Sequence, residues 1–502
     1  MTRLVKLAVL SALTLAGAAH AFCGFYVSSA GADLFADASM VVLMRDGTRT
    51  VLSMQNNYRG PPNDFALVVP VPVVLQKKNV KTLPNEVFAR IDTLASPRLV
   101  EEYEPGECPP PPPTAAAEAM VPQSAPMPRD LGVKVEAKFD VEEYEIVILS
   151  AKDSLGLEIW LKENKYKIPD AAAPLLKPYV QTNWKFFVAR VNAKKVKFVN
   201  GVAVLSPLRF FYDHESFQLP VRLGLANSAG TQDLIVHVIA KSRYEVANSK
   251  NVLVPTNLRV KPAVEPEFGA FYADLLDRTF KATPGAAVTE FSWKGALPPP
   301  KVMQSQGIYG VTCDPCPPPV PVDDPLARYL GADVMPGIKT DEDVAKFAQE
   351  ATITRLHLRY TKESLTDDVV FKAVGPIHGG IPEAPKPGPA KANRFQGRYI
   401  MLKPFDQSRC WSMGGMMGGG AFGTPGGSLA MPPPMPPPPP VAPPPPGSPA
   451  PKAAEVTPPP PAAPKLSKPI ASLLLTDVPE LGLKAEVAPA AKPGTKSPAP
   501  KK

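Results

Sequence analysis

The fold class is indicated most directly by residues 41–55, which read VVLMRDGTRTVLSMQ. Two runs rich in apolar residues flank the pair Asp46-Gly47. Aspartate and glycine tolerate positive φ angles, so this pair favours a tight turn between two antiparallel strands. We therefore predict a β-hairpin near the start of the folded region.

Strand patterns continue along the chain on both sides of a proline-rich stretch. Short apolar or alternating runs predict strands at residues 65–69, 144–149, 184–191, 195–199, 208–212, 218–223, 234–240, 288–293, 353–360 and 395–402. Pro70 and Pro72 follow the first of these runs and lack backbone N–H donors. That strand is therefore expected to end there or to lie at a sheet edge.

Helix patterns are fewer than strand patterns. Apolar residues at helical spacing predict helices at residues 83–94, 154–164, 174–180, 268–280 and 341–350. Thr340 and Asp343 form a capping-box pattern at the start of the last helix, since each side chain can satisfy an amide of the first turn. The predicted fold class is α+β and strand-dominated.

Composition divides the 502-residue chain into parts. We predict a signal peptide at residues 1–21, an N-terminal α+β subdomain at 22–260 with a proline-rich loop at 109–128, a second α+β subdomain at 261–410, and a tail at 411–502. Roughly 390 residues are long for one core, which favours two subdomains. The tail is rich in glycine and then in proline, so it is predicted to be disordered.

The first 21 residues have the pattern of a secretory signal. Arg3 and Lys6 precede an apolar run, and the small residues Ala19 and Ala21 mark a cleavage site before Phe22. An uncleaved anchor is the alternative, although the run is shorter than the about 20 residues that span a bilayer. The leucine triplet at 473–475 is also too short, so we predict an exported protein without a transmembrane span.

Charge excludes one class of partner and leaves another open. The chain carries a net charge of +8, but much of it lies in the signal and the tail, so the folded part is nearly neutral. A near-neutral domain argues against nucleic-acid binding. Lysines outnumber acidic residues in the tail, which predicts contact with the cell wall or another anionic surface. An inert, solubilising tail is the alternative.

Five ordered blocks resemble a known bacterial family. The blocks are CGF at residues 23–25, FALVVPVP at 65–72, YEIVILSA at 144–151, LPVRLG at 219–224 and CDPC at 313–316. Together they resemble the family called domain of unknown function 2330, over roughly residues 23–410. The resemblance implies a bacterial exported protein, and it brings no activity and no catalytic residues.

The cysteines allow three interpretations of the pair Cys313 and Cys316. A redox-active pair is disfavoured because three prolines follow directly and oppose a regular helix. A zinc half-site lacks further ligands nearby in sequence, so no metal site is predicted. The favoured interpretation is a structural disulfide in an oxidising compartment. Cys23 and Cys108 are then the natural second pair, which leaves Cys410 as a free thiol.

Histidines supply the remaining candidate sites. The triplet Asp213-His214-Glu215 is the best acid–base cluster by composition, although three polar residues after a strand are also typical of a turn. His237 lies in an apolar strand and is predicted to be a hydrogen-bonded core residue. His357 shares a strand face with Arg355 and Arg359, which indicates a solvated face. His378 lies in a loop with no partner signal.

Two functional hypotheses follow from these patterns. The first is an exported, non-catalytic binding or scaffold protein of the envelope or extracellular space, with an unknown ligand and no cofactor. The second is an exported enzyme that uses thiol–disulfide chemistry at Cys313 and Cys316, or acid–base chemistry near His214. The sequence lacks the short motifs of common hydrolases and nucleotide-binding enzymes, which favours the first hypothesis weakly.

Overall fold

The computed structural model describes twelve stretches of the chain. These are residues 19–20, 25–27, 39–55, 66–103, 136–163, 172–192, 194–199, 202–227, 230–297, 325–379, 390–403 and 466–486. Apart from Tyr103 and Lys403, all of them belong to one compact unit. The five cysteines, the proline-rich loop at 109–128, most of the signal peptide, and tail residues 411–465 and 487–502 lie outside the described residues.

Strands dominate the described chain, which confirms the α+β, strand-dominated class. The strands are β1 Ala19–His20, β2 Phe25–Val27, β3 Ser39–Asp46, β4 Arg49–Met54, β5 Ala66–Val71, β6 Val80–Thr82, β7 Arg98–Tyr103, β8 Ala137–Val141, β9 Tyr144–Ser150, β10 Lys185–Val191, β11 Lys197–Val199, β12 Val202–Val204, β13 Leu208–Asp213, β14 Gln218–Leu219, β15 Gln232–Ala240, β16 Arg243–Val246, β17 Asn251–Leu253, β18 Leu258–Val260, β19 Ala287–Lys294, β20 Thr352–Tyr360, β21 Val369–Val374, β22 His378–Gly379, β23 Arg394–Gln396 and β24 Arg398–Lys403.

The α-helices lie mostly between strands. They are α1 Glu86–Ala95, α2 Ser154–Glu163, α3 Ala172–Gln181, α4 Phe268–Ala282, α5 Leu326–Leu330, α6 Asp341–Glu350 and α7 Ile470–Leu473. Helix α6 begins where the sequence predicts, because Thr340 Oγ1 accepts from the Asp343 amide while the Asp343 carboxylate accepts from the Thr340 amide. No helix among the described residues is long and apolar enough to cross a membrane.

The predicted hairpin is present at the centre of the largest sheet. Strands β3 and β4 are antiparallel, with Asp46 opposite Arg49, and Gly47 in the turn adopts a φ of +56°. The sheet has the order β22-β23-β19-β20-β15-β3-β4-β13-β6, with β1 beside β15 and β17 beside β19. A second sheet has the order β2-β5-β10-β9-β8, and Pro70 lies in β5 beyond the residues that β2 covers.

The two sheets and the helices form layers. Alternate residues of β3 and β4, such as Val41 and Leu52, pack with Leu67 and Ile148 of the second sheet in the largest core. Helices α2 and α3 cover the outer face of the second sheet. Helices α1, α5 and α6 cover part of the outer face of the large sheet. Both faces of the central strands are therefore buried.

The large sheet takes strands from both sides of residue 260. Strand β15 pairs with β20 along its whole length, from Gln232 opposite Tyr360 to Ala240 opposite Thr352. The predicted subdomains 22–260 and 261–410 therefore share one sheet. Local sequence patterns give the type of an element but not its partner, so they do not show this pairing.

The structure differs from the expected disorder of the tail at residues 466–486. This stretch, which we call the docked segment, contains α7 and packs its apolar side chains against α4, β18 and β24. The buried residues of the segment are Ile470, Leu473, Leu474, Val478 and Leu483. The physical reason is local composition, since apolar residues cluster here within a tail that is otherwise rich in proline and alanine.

Candidate functional site

The acid–base triplet at residues 213–215 forms a turn at the end of β13. The Asp213 carboxylate accepts two hydrogen bonds from Arg49, at 2.8 and 3.0 Å, and this pairing lowers the pKa of Asp213. His214 Nδ1 accepts from the Ser216 amide at 3.2 Å. Arg45 donates to the carbonyls of His214 and Glu215. The side chains therefore hold the turn rather than converging on one position.

A second group of titratable residues lies on the outer face of the large sheet, between the regions covered by α1 and α4. It combines acidic and basic side chains from three adjacent strands and two helices. We call it the charge cluster, and its members are Asp92, Asp233, Asp277, Glu290, Arg355, His357 and Arg359.

Glu290 lies at the centre of the charge cluster and is fully buried. Strand β19 has a β-bulge here, since Thr289 lies opposite Leu356 and Phe291 lies opposite Arg355, which leaves Glu290 as the extra residue. A bulge changes the direction of a side chain relative to the regular pleat. The bulge therefore explains how a glutamate reaches the polar cluster from a strand of apolar neighbours.

Three groups bind the Glu290 carboxylate. Arg355 Nε donates to Oε2 at 2.5 Å, His357 Nδ1 lies 3.2 Å from Oε1, and the Tyr272 hydroxyl of α4 donates to Oε1. Burial alone would raise the pKa of Glu290, but the guanidinium of Arg355 and the His357 ring hold this pKa well below its usual range. Glu290 is therefore ionised at neutral pH.

His357 bridges two carboxylates. Its Nδ1 faces Glu290, and its Nε2 lies 3.0 Å from Oδ1 of Asp233 on β15. Burial alone would lower the pKa of His357, but the two acids raise it to about 9. The ring also contacts Phe280 of α4 edge-on, with centroids 5.5 Å apart. His357 is therefore a buried cation at neutral pH.

The cluster continues to both covering helices. On one side, Arg355 Nη1 donates to Asp92 of α1. On the other side, Arg359 binds Asp233 at 2.7 Å and Asp277 of α4 at 2.5 Å, with its guanidinium over the Phe280 ring. Acidic and basic groups alternate along this chain of contacts. The cluster thus connects α1 and α4 to the sheet through paired charges.

His237 is the neutral member of this region. It is fully buried on β15, and burial together with nearby Arg355 lowers the pKa of His237 well below its usual value. Its Nε2 lies 3.5 Å from Arg355 Nη1, while its Nδ1 has no hydrogen-bond partner among the described residues. His237 therefore occupies the core position that the sequence indicates, and it stays uncharged.

The prediction that Arg355, His357 and Arg359 form a solvated strand face is wrong. Arg355 and His357 are only 5% and 8% exposed, because α1 and α4 cover the strand. Alternation of polar and apolar residues identifies one face of a strand, but it does not say whether solvent or a helix covers that face. Sequence reasoning also missed Glu290 and Asp233, whose only signal is an acidic residue within an apolar strand.

The geometry of the charge cluster favours a structural role. Every charge in it has an opposite charge within hydrogen-bond distance, and its centre is enclosed between sheet and helices. Among the described residues, Glu290 and Asp233 are the carboxylates within hydrogen-bond distance of the His357 ring. Within the described stretches, no group of three or more acidic, histidine or cysteine side chains has the arrangement of a metal site.

Comparison with known protein families identifies the family of this chain. A model of the family described as "Uncharacterized protein conserved in bacteria (DUF2330)" matches residues 17–372. The chain belongs to this family. The DUF2330 match contains the whole charge cluster and ends before β24 and the docked segment. Searches of curated proteins and of solved structures found no match.

Proposed function

We propose that this DUF2330 protein is an exported, non-catalytic binding or scaffold protein of the bacterial envelope or extracellular space. One observation carries the non-catalytic part of the proposal. The charge cluster is the densest group of titratable side chains described, and its charges are already paired with one another inside the fold. Buried groups whose charges are satisfied by one another are typical of structural ion-pair networks, which favours a structural role for this cluster.

The acid–base turn supports the same proposal. Asp213 is bound by Arg49 and His214 by the Ser216 amide, so both side chains have local structural partners. The N-terminal pattern supports export, since a basic start, a short apolar run and small residues precede Phe22. The family match supports a bacterial origin.

The ligand class is tested with the mature protein and envelope fractions. We expect the full chain to co-sediment with purified cell wall at low salt and to be released at high salt, because exposed lysines would supply the attraction. The matched variant ends after Glu486, which removes four C-terminal lysines but keeps the docked segment. Equal co-sedimentation of both chains would exclude that tail as the binding element.

The exported, non-catalytic part is tested separately. N-terminal sequencing of the protein from the producing bacterium should begin at Phe22, and a retained Met1 would contradict export. The triple variant Asp213→Asn, His214→Gln and Glu215→Gln should bind the envelope fraction as well as the wild type. A bound component that the wild type converts chemically, and this variant does not, would contradict the proposal.

A further inference from the structure

The docked segment contacts the domain although it lies far along the sequence from the last strand, β24. Strand β24 ends at Lys403, and the next described residue is Leu466. Val260 of β18 pairs with Met401 on one side and bridges to Leu474 on the other. Two strand spacings, about 10 Å, therefore separate the two attachment regions. About 60 residues connect them, although far fewer would reach.

The segment contacts the edge of β18 through a single antiparallel bridge that directly follows α7. The Lys261 amide donates to the Leu473 carbonyl at 2.9 Å, and the Leu475 amide donates to the Arg259 carbonyl at 2.8 Å. These bonds flank the antiparallel bridge between Val260 and Leu474. The segment thus covers the free edge of β18 in the sheet of β18, β24 and β7. Adding an extended peptide to a sheet edge is a common mode of peptide recognition.

Apolar anchors fix the position of the segment at this edge. Leu473 and Leu474 are at most 1% exposed, whereas the next residue, Leu475, is 47% exposed. The anchors pack in one cluster with Val260 of β18 and with Phe271 of α4. Main-chain bonds to an edge strand give affinity, and pockets for particular side chains give specificity. The segment shows both features.

Polar contacts add to the apolar ones. Lys261 Nζ donates to the Ser472 carbonyl at 2.6 Å, and the Arg259 amide donates to Thr476 Oγ1 at 3.0 Å. Ser467 donates from its amide and its hydroxyl to the Glu267 carboxylate, at 3.0 and 2.9 Å. A groove of about 550 Å³ lies between α4 and residues 466–470, and its lining includes Asp274, Asp277 and Arg278. The segment closes on itself through a bridge between Val478 and Leu483. It therefore has the character of a compact bound peptide.

We propose that the edge of β18, together with α4, is a peptide-binding site whose resident ligand is the docked segment of the same chain. The ligand class is a short apolar peptide that forms an antiparallel bridge with Val260 of β18 and buries its leucines against α4. This inference rests on the proposed binding function, and it assigns that function a site. The site and its ligand belong to one chain, so their association is intramolecular and is governed by an effective concentration. The intact chain therefore keeps its own site occupied.

The test separates the segment from the domain without mutating either. A site-specific protease sequence replaces residues in the linker 404–465 of the full chain, and cleavage leaves the segment held by non-covalent contacts alone. A fluorescent peptide of residues 466–486 is then titrated into the cleaved and the intact protein. We expect the peptide to bind the cleaved protein at least tenfold more tightly, because the tethered competitor is no longer covalently held.

Peptide variants provide the matched control. The peptide carrying Leu474→Asp should bind the cleaved protein at least tenfold more weakly, and the peptide carrying Leu475→Asp should bind like the unmodified one. Failure of the peptide to exchange into the cleaved protein would overturn the proposal, and so would loss of the folded circular-dichroism signal when the segment leaves. A dimer formed by exchange of segments between intact chains would instead assign the occupant to a second copy. Cell-wall co-sedimentation tests the proposed binding function independently.

Discussion

The charge cluster and the docked segment hold the fold together in opposite ways. The charge cluster joins strands and helices through ion pairs that are buried around Glu290 and partly exposed at the two helices, and it lies wholly within the DUF2330 match. The docked segment adheres through apolar burial and a few main-chain bonds, and it lies beyond that match. Removing one partner of a buried ion pair leaves the other charge buried and unpaired. A peptide held by apolar contacts can dissociate without leaving an unpaired charge in the domain. The first region should therefore resist local opening, and the second should permit it.

The largest effect is expected from Glu290→Gln. The substitution keeps the side-chain size but leaves Arg355 and His357 without their shared buried anion. We expect the free energy of unfolding to fall by about 3–5 kcal/mol, as for other buried pairs that lose one partner. Chemical denaturation of the mature protein measures this change.

Two controls sharpen that result. The exposed Glu265→Gln change should alter the free energy of unfolding by less than about 0.5 kcal/mol. The double variant Glu290→Met with Arg355→Met should recover part of the loss, because it removes the buried guanidinium together with its anion. Asp92 loses Arg355 but is 37% exposed, and His357 keeps Asp233. A single variant as stable as the wild type would show that the charge cluster does not hold the helices to the sheet.

The second prediction concerns pH. The pKa of His357 is about 9 in the folded protein against an ordinary value of 6.5. The protonated ring is favoured by folding, so its contribution is complete below pH 6.5 and is lost as pH rises towards 9. At about 1.4 kcal/mol for each pKa unit, the loss is about 3 kcal/mol. Denaturation at several pH values between 6 and 9 measures it.

The variant His357→Gln isolates this contribution. It should be less stable than the wild type at pH 6, and its stability should change much less between pH 6.5 and 9. Other groups that titrate in this range act equally in both proteins, so the difference between them reports on His357. Parallel pH profiles for the two proteins would show that the ring is not a buried cation.

The sequence shows that the residues in these two predictions are titratable or charged. It does not show which elements surround them in the fold. The alternation in β20 predicts a strand over residues 353–360, and the structure confirms it at Thr352–Tyr360. The burial of Arg355 and His357 depends on α4, which lies far earlier in the chain, and on a bulge at Glu290 that no local pattern marks. Local patterns therefore predict the elements, while the site depends on long-range packing.

The hairpin and the docked segment show the same difference between local sequence signals and long-range packing. Asp46-Gly47 and the Thr340–Asp343 cap are local signals, and both elements form where the sequence predicts them. The leucines at 473–475 are too short for a membrane span, and the sequence around them carries no signal for docking. Their burial depends on an open edge at β18, which appears only when the sheet is assembled.

The third prediction concerns the docked segment in the full chain. Leu474→Asp places a charge at a fully buried position, which should weaken docking by about 2–3 kcal/mol or more. We expect the segment to open locally while the sheet stays folded. Hydrogen exchange should therefore accelerate at the amides of Lys261 and Leu475, which bond between β18 and the segment, but not at the amides of β15.

Leu475→Asp is the matched control for this prediction. It carries the same chemical change one residue later, at a side chain that is 47% exposed. Exchange at Lys261 should then stay close to the wild-type rate. If Leu474→Asp instead lowers the global free energy of unfolding as much as Glu290→Gln does, the docked segment is part of one cooperative core and the contrast between the two regions fails.

The smallest effect is expected at the turn of residues 213–215. Asp213 is 56% exposed and pairs with Arg49, so the interaction lies largely in solvent. Exposed ion pairs contribute about 0–1 kcal/mol and weaken further in salt. Asp213→Asn should therefore reduce the free energy of unfolding by less than about 1 kcal/mol, and the reduction should shrink in 1 M salt.

The comparison with Glu290→Gln decides what the turn is for. Both variants remove one carboxylate charge that faces an arginine, and they differ chiefly in burial. Burial is therefore the expected cause of the difference between a loss of several kcal/mol and a loss near zero. If Asp213→Asn leaves stability unchanged but abolishes binding of an envelope component, the turn contacts a ligand, because a purely structural ion pair would not affect binding without affecting stability.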